Sequence, residues 1–132
     1  MNWQDFEDEV RQLKSKVTQK PDIIVGIVRG GLMPAHLLAK YLDVNEMHGL
    51  TVKKTGQGRV IASEINEDLT DKNVLLVEDV LETGTSMMVA LEYLKSKGAN
   101  VRTASLYFQP QTKIIPDYYI SEKDDVPIFP WD

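Results

Sequence analysis

The spacing of apolar residues near the start of the chain predicts a helix followed by a strand. Five apolar residues recur at three- or four-residue intervals with charged residues between them: Trp3, Phe6, Val10, Leu13 and Val17. This spacing is typical of an amphipathic helix, which Asn2 can cap and which Lys20-Pro21-Asp22 ends. Residues 23–28 are then continuously apolar and mostly β-branched. That run predicts a strand buried on both faces, as in a parallel sheet.

Strand and helix patterns continue to alternate through residue 108. A tight turn at 29–31 precedes a predicted helix that has Pro34 in its first turn and runs to about Leu42. A third helix, marked by apolar spacing from Met87, ends at Gly98. Further strands are predicted around Met47–Lys53, Arg59–Ile65, Val74–Val77 and Val101–Phe108, with short ones near Tyr118–Ile120 and Pro127–Phe129. The alternation predicts an α/β fold, a parallel twisted sheet flanked by helices and joined by right-handed crossovers.

Two loops follow buried strands of this predicted sheet. One is Arg29-Gly30-Gly31, and the other runs from Glu78 to Ser86. Ligands on open α/β sheets bind at the carboxyl ends of the strands, beside the first turns of the following helices. We therefore expect both loops to contribute to one ligand site.

The loop at residues 78–86 has the chemistry of a sugar-phosphate site. Glu78 and Asp79 end an apolar strand, where burying two acids for packing alone is unfavourable. Thr83-Gly84-Thr85-Ser86 then opens a helix, so hydroxyls and free backbone N–H groups can hold an anion. The alternative is that the acids are solvated and that Thr83 only caps the helix. The loop contains neither the GxxxxGK nor the GxGxxG pattern of other phosphate-binding turns.

Composition narrows the classes of protein that fit. The 132 residues are 42% apolar, which suits one domain covering residues 1–132. A net charge of −5 argues against a nucleic-acid-binding surface, and the absence of cysteine excludes disulfides and thiolate metal ligands. The acidic amino terminus does not resemble a signal peptide, and no apolar run reaches the length of a membrane span. We expect a cytoplasmic protein without nucleic-acid or membrane partners.

Three segments resemble one enzyme family. Residues 74–86 resemble the signature of type I phosphoribosyltransferases, an apolar strand, two acids, two spacers, an acid and then Thr-Gly-x-Thr/Ser. Residues 26–35 are similar to the pyrophosphate loop of the xanthine/guanine-type members. The tail, with Pro116-Asp117-Tyr118-Tyr119 and Phe129-Pro130-Trp131-Asp132, resembles their hood. The resemblance implies a type I phosphoribosyltransferase fold with a small hood at about residues 109–132.

The resemblance also implies an activity. Such enzymes transfer the 5-phosphoribosyl group of 5-phosphoribosyl-1-pyrophosphate (PRPP) to a nucleobase, here expected to be a 6-oxopurine, and release pyrophosphate. Mg²⁺ is the implied cofactor, placed indirectly by Glu78 and Asp79 through ribose hydroxyls or water. The 5-phosphate and ribose would be held by Glu78, Asp79, Thr83, Gly84, Thr85 and Ser86. Arg29 and Gly30 would bind pyrophosphate in a turn with a non-proline cis peptide, and a homodimer or larger homo-oligomer is implied.

Three positions depart from the family pattern near the base. Glu82 stands where the family usually has an aspartate that accepts a proton from the base, so Glu82 is the expected catalytic residue. Gln109 replaces a lysine that contacts the 6-oxo group, and Val126 replaces an aromatic ring that stacks on the base. Both are expected to bind the base. These departures leave open a non-catalytic regulator that binds PRPP or a nucleotide on the same fold. A phosphate-binding α/β protein of another family is a third alternative.

Overall fold

The structure, a computed structural model, describes residues 1–132 as one six-stranded sheet with three helices. The elements in chain order are α1 (Trp3–Lys14), β1 (Ile23–Val28), α2 (Leu32–Leu42), β2 (Glu46–Thr55), β3 (Gly58–Ile61), β4 (Asn73–Leu81), α3 (Thr85–Ser96), β5 (Asn100–Phe108) and β6 (Ser121–Glu122). The strand order is β3-β2-β1-β4-β5-β6. All neighbours pair in parallel except β2 and β3, which form an antiparallel hairpin. The predicted fold class is therefore confirmed.

Each face of the sheet carries its own apolar core. On one face Ile24 and Leu75 pack with side chains of α1 and α2, including Phe6 and Leu38. On the other face the neighbouring strand residues, such as Val25, pack with side chains of α3. Alternate residues of the central strands point to opposite faces, so both sets are buried. The continuous apolar runs of β1 and β4 therefore reflect helices on both sides.

Three predicted boundaries differ from the structure, and one predicted strand is absent. Helix α1 ends at Lys14, and Val17 packs against the core from the following loop. Strand β3 ends at Ile61 because the Ser63 hydroxyl accepts the Thr51 N–H at 2.8 Å. The predicted strand at 127–129 is absent. Strand β4 continues through Leu81, since its pairing with β5 extends to Leu81 opposite Phe108, so Glu78 and Asp79 belong to a strand rather than to a loop.

The tail beyond β5 has little regular structure. Tyr118 forms a single bridge with Ala104, and β6 pairs two residues with the end of β5. Pro127 has no N–H to donate to a sheet ladder, and the prediction of a strand there was wrong. None of the three helices is both long and apolar enough to cross a membrane.

A capping box begins helix α1. The Asn2 side chain accepts the Asp5 N–H at 2.8 Å, and the Asp5 carboxylate accepts the Asn2 N–H at 3.3 Å. We expect Asn2→Ala to lower the free energy of unfolding by about 1 kcal/mol, because one N–H of the first turn loses its acceptor. Urea denaturation measures the change. Asn2→Asp retains the acceptor and should keep most of the stability; an equal loss in both variants would contradict the capping role.

Candidate functional site

An open cleft lies at the carboxyl end of β4 and the start of α3. Its volume is about 350 Å³. A second recess beside it is formed by the turn after β1 and by the end of the tail. The two share only Asp79 and Asp132 in their walls. The cleft is lined by Arg59, Glu78, Asp79, Val80, Leu81, Glu82, Thr83, Gly84, Thr85, Ser86, Val126, Phe129 and Asp132.

The start of α3 forms an anion cradle. Gly84 has a φ of 79°, a left-handed conformation that turns the chain from the loop into the helix. A side chain there would meet the Thr112 hydroxyl at 2.5 Å. The backbone N–H groups of Ser86 and Met87 have no acceptor within the chain, and the hydroxyls of Thr83 and Thr85 lie 3.1 Å apart. Free donors and the positive end of the helix favour a bound phosphate.

The turn after β1 packs directly against Asp79. A Cβ atom on Gly30 would overlap the Asp79 carboxylate, so only glycine allows this close approach. The peptide bond between Val28 and Arg29 is cis, as the family resemblance predicts. Gly31 donates to the Ile27 carbonyl at 2.8 Å and fixes the turn at the end of the strand. The two loops that were predicted to share a site therefore meet at one carboxylate.

The cleft concentrates negative charge. Burial, reinforced by the neighbouring charge of Asp79, raises the pKa of Glu78 to about 8, although Arg59 opposes the shift. Burial also raises the pKa of Asp79, while a hydrogen bond from the Val80 N–H, 2.7 Å long, lowers it in part. Asp132 and Glu82 add to the upward shift of the Asp79 pKa. An acidic, partly desolvated cleft of this kind favours ligands that bring hydroxyl donors or a cation.

Glu78 should make stability depend on pH. Its pKa is raised to about 8 from an ordinary value of 4.5, so its contribution is fully present below the ordinary value and is lost as pH rises through about 8. We expect the free energy of unfolding of Glu78→Gln, relative to that of the wild type, to rise by about 1–2 kcal/mol between about pH 6 and about pH 9. This is less than the full pKa shift would give, because water screens this partly exposed group. Urea denaturation at each pH measures it.

The control for this pH dependence is Glu92→Gln. That substitution removes the same charge from an exposed position on α3, outside the cleft. Its difference from the wild type should be the same at both pH values. A Glu78→Gln variant whose difference is also constant would contradict the raised pKa.

Eight of the predicted site residues line the cleft, and two others line only the recess. Val126 forms the cleft wall with the phosphate and ribose candidates, and Arg29 and Gly30 line the recess beside Asp79. Gln109 is not in either wall. Its amide donates to the Asp124 carbonyl at 2.8 Å and accepts from Gln111 at 2.9 Å. The structure thus does not bring Gln109 together with the other candidates.

The sequence patterns missed two charged residues of the cleft. Arg59 lines it from β3. Lys53 and Lys54 of the same hairpin are exposed and lie outside the cleft wall. Asp132 lines both the cleft and the recess, while its carboxylate accepts the Phe129 N–H at 2.8 Å. The one sequence feature that could have indicated Asp132 is its position next to Trp131, in the tail that resembles the hood of the family.

Comparison with known proteins identifies the family. The pattern described as "Phosphoribosyl transferase domain" matches residues 1–132. Hypoxanthine-guanine phosphoribosyltransferases of Staphylococcus aureus and Lactococcus lactis are 31% and 29% identical over 110 and 111 residues, covering 74% and 75% of this chain. The chain matches only 60% of the length of either relative.

A solved structure is similar over the whole chain. The purine phosphoribosyltransferase from Pyrococcus horikoshii superposes with a TM-score of 0.93 at 35% identity, covering 100% of this chain and 92% of that one. The chain belongs to the phosphoribosyltransferase family.

Proposed function

We propose that this chain transfers the 5-phosphoribosyl group of PRPP to a nucleobase, a 6-oxopurine, and releases pyrophosphate. The main support is geometric: the anion cradle at the start of α3 and the turn at 29–31 converge on Asp79. PRPP carries a phosphate at one end of its ribose and a pyrophosphate at the other, so it requires two anion sites around one sugar. The relatives named hypoxanthine-guanine phosphoribosyltransferase support a 6-oxopurine as the acceptor.

The anion cradle binds the 5-phosphate of the phosphoribosyl group, and the two acids bind its ribose. Thr83, Gly84, Thr85 and Ser86 hold the 5-phosphate through hydroxyls and backbone N–H groups. Glu78 and Asp79 accept hydrogen bonds from the ribose hydroxyls. Breaking the bond at C1 makes the ribose positively charged, and the fixed carboxylates of the cleft stabilise that charge.

The leaving pyrophosphate is assigned to the recess beside Asp79. Arg29 and the backbone of Gly30 line this recess. Arg59 reaches the cleft from the β2–β3 hairpin and brings a second cation towards the same region. Negative charge grows on the pyrophosphate as the bond breaks, so cations here lower the barrier.

Mg²⁺ fits the chemistry of the cleft. No group of three carboxylate or imidazole side chains is arranged as a complete metal site. Mg²⁺ commonly takes few protein ligands and keeps water and substrate oxygens instead. We expect Glu78 and Asp79 to hold it indirectly, through ribose hydroxyls or water. When bound, Mg²⁺ would neutralise the charge of the leaving pyrophosphate and orient it.

The base is assigned to the end of the cleft formed by the tail. Val126 and Phe129 supply apolar contact there. The Glu82 side chain is exposed at the mouth of the cleft and makes no hydrogen bond within the chain, so its carboxylate is free to accept a proton from the base nitrogen. Acceptance of that proton lets the nitrogen attack C1 as the bond to pyrophosphate breaks.

Incubation of the protein with PRPP, Mg²⁺ and one base at a time tests the proposal. Hypoxanthine, guanine, xanthine and adenine are supplied separately, and chromatography detects the nucleoside monophosphate and pyrophosphate. We expect product with at least one 6-oxopurine. No product with any base would overturn the enzyme assignment. If PRPP nevertheless raised the melting temperature, the data would favour the alternative, a non-catalytic PRPP- or nucleotide-binding regulator.

We also expect a cytoplasmic homodimer or larger homo-oligomer. Exposed apolar side chains supply surface for self-association, among them Ile115, which is 58% exposed, and Met33, which is 42% exposed. Sedimentation velocity of the purified chain measures its mass in solution. A monomer at micromolar concentration would contradict this part of the proposal.

A further inference from the structure

The part of the tail that walls the cleft has few hydrogen bonds to the rest of the chain. Between residues 125 and 132, the only hydrogen bond that leaves the segment joins the Met1 amino group to the Ile128 carbonyl at 3.2 Å. The others lie within the segment and join Phe129 to Asp132. No strand holds this wall in place, so side-chain packing must position it.

Helix α1 provides that packing through an aromatic cluster. Phe6 is fully buried and meets Phe129 and Trp131 edge to face, with ring centroids 6.4 and 4.9 Å away. The rings of Phe129 and Trp131 are parallel and stacked at 4.8 Å. Trp3 lies 6.1 Å from both Phe6 and Trp131. Aromatic pairs in these arrangements fix relative orientation more strongly than aliphatic contact does.

The aromatic residues of the tail that pack against α1 also line the site. Phe129 lines the base end of the cleft, Trp131 lines the recess, and Asp132 lines both. The phosphate cradle depends on other contacts. It is fixed by β4 and α3 and by a hydrogen bond from the Lys113 N–H to the Thr83 carbonyl at 2.9 Å.

We propose that Phe6 is a positioning residue for the base end of the site, acting through Phe129 and Trp131. The inference rests on the proposed function, because it assigns the base to this end of the cleft. It predicts that a change in α1, outside the cleft wall, alters recognition of the base without altering recognition of the 5-phosphate.

Two ligands and two variants separate these effects. Ribose 5-phosphate probes the cradle alone, whereas inosine 5′-monophosphate probes the cradle and the base end together. Isothermal titration calorimetry measures both dissociation constants for the wild type, for Phe6→Leu and for Leu13→Val. Leu13 is a buried residue two turns further along α1 that takes no part in the aromatic cluster, so Leu13→Val is a matched core control.

We expect Phe6→Leu to weaken inosine 5′-monophosphate binding by about tenfold, the size of two lost aromatic contacts, and to leave ribose 5-phosphate binding within about twofold. Leu13→Val should leave both unchanged. Equal weakening of both ligands in Phe6→Leu, no change in either, or the same result in Leu13→Val would overturn the inference. A wild type that binds neither ligand would instead remove the proposed function, and this inference with it.

Trp3→Ala provides the test if Phe6→Leu does not fold. Trp3 is 50% exposed, so its loss perturbs the core less than the loss of Phe6. Because Trp3 contacts Trp131 and Phe6, we expect a weaker effect in the same direction, about threefold on inosine 5′-monophosphate. An unchanged affinity for the nucleotide in this variant would overturn the inference.

Discussion

Replacement of Asp79 by asparagine is expected to weaken PRPP binding by about a hundredfold while leaving the protein folded. The carboxylate lies where the cleft and the recess meet, and Gly30 packs against it. Asparagine keeps one oxygen, which can still accept the Val80 N–H. The other oxygen becomes an NH₂ group, a donor facing hydroxyl donors. Loss of about two charge-assisted hydrogen bonds, at about 1.5 kcal/mol each, gives this factor.

Asp79→Asn should weaken PRPP binding but should not lower the stability of the fold. Burial raises the pKa of Asp79, so its ionised form is disfavoured by the fold at neutral pH. Asparagine removes that charge and should leave the free energy of unfolding equal to or higher than that of the wild type. A loss of binding without a loss of stability is the pattern of a residue retained for function. Calorimetry with Mg²⁺ and PRPP, together with urea denaturation, measures both quantities.

Asp43→Asn is the matched control for this substitution. Asp43 ends α2 with a φ of 57°, a conformation that asparagine also adopts, and it lies outside both the cleft and the recess. We expect wild-type PRPP affinity in that variant. Wild-type affinity in Asp79→Asn, or an unfolded Asp79→Asn protein, would contradict the role assigned to Asp79.

The parts of the fold that the sequence predicts correctly are those set by local rules. The apolar run of β1 and the start of α2 have clear local signals, and a parallel sheet follows from the alternation of strands and helices. A parallel sheet also predicts that the turn at 29–31 and the acids at 78–79 lie at the same edge, which the structure shows as direct contact. Parallel strands β1 and β4 are neighbours, so their carboxyl ends share an edge.

The parts that were missed depend on partners distant in sequence. Strand β4 includes Glu78 and Asp79 because its pairing with β5 extends beyond them. The apolar run ends before these acids, so the local pattern does not predict the longer strand. Gln109 lies outside the cleft wall, and its amide donates to the Asp124 carbonyl, a contact that no local pattern encodes. The position of Phe129 depends on Phe6 at the other end of the chain.

Replacement of Glu82 by glutamine is expected to lower kcat by about a hundredfold or more, with PRPP affinity within about threefold of the wild type. Glutamine keeps the length of the side chain but cannot accept the proton from the base nitrogen. The cradle next to Glu82 depends on backbone N–H groups and hydroxyls that this substitution leaves in place. The chemical step should therefore slow much more than binding weakens. Single-turnover kinetics with saturating PRPP and a 6-oxopurine measure it.

The Glu82→Asp variant distinguishes the effect of the carboxylate charge from the effect of side-chain length. Aspartate is the usual residue of the family at this position, and it restores the carboxylate with one methylene fewer. A shift of about 1 Å in a reacting group can lower a rate by about a hundredfold, but the Glu82 side chain is exposed and unbonded, so the loop can adjust. We therefore expect Glu82→Asp to stay within about tenfold of the wild-type kcat. If Glu82→Gln instead retained the wild-type kcat, the proton acceptor would be another carboxylate of the cleft, and Asp132, which lines the base end, would be the next candidate.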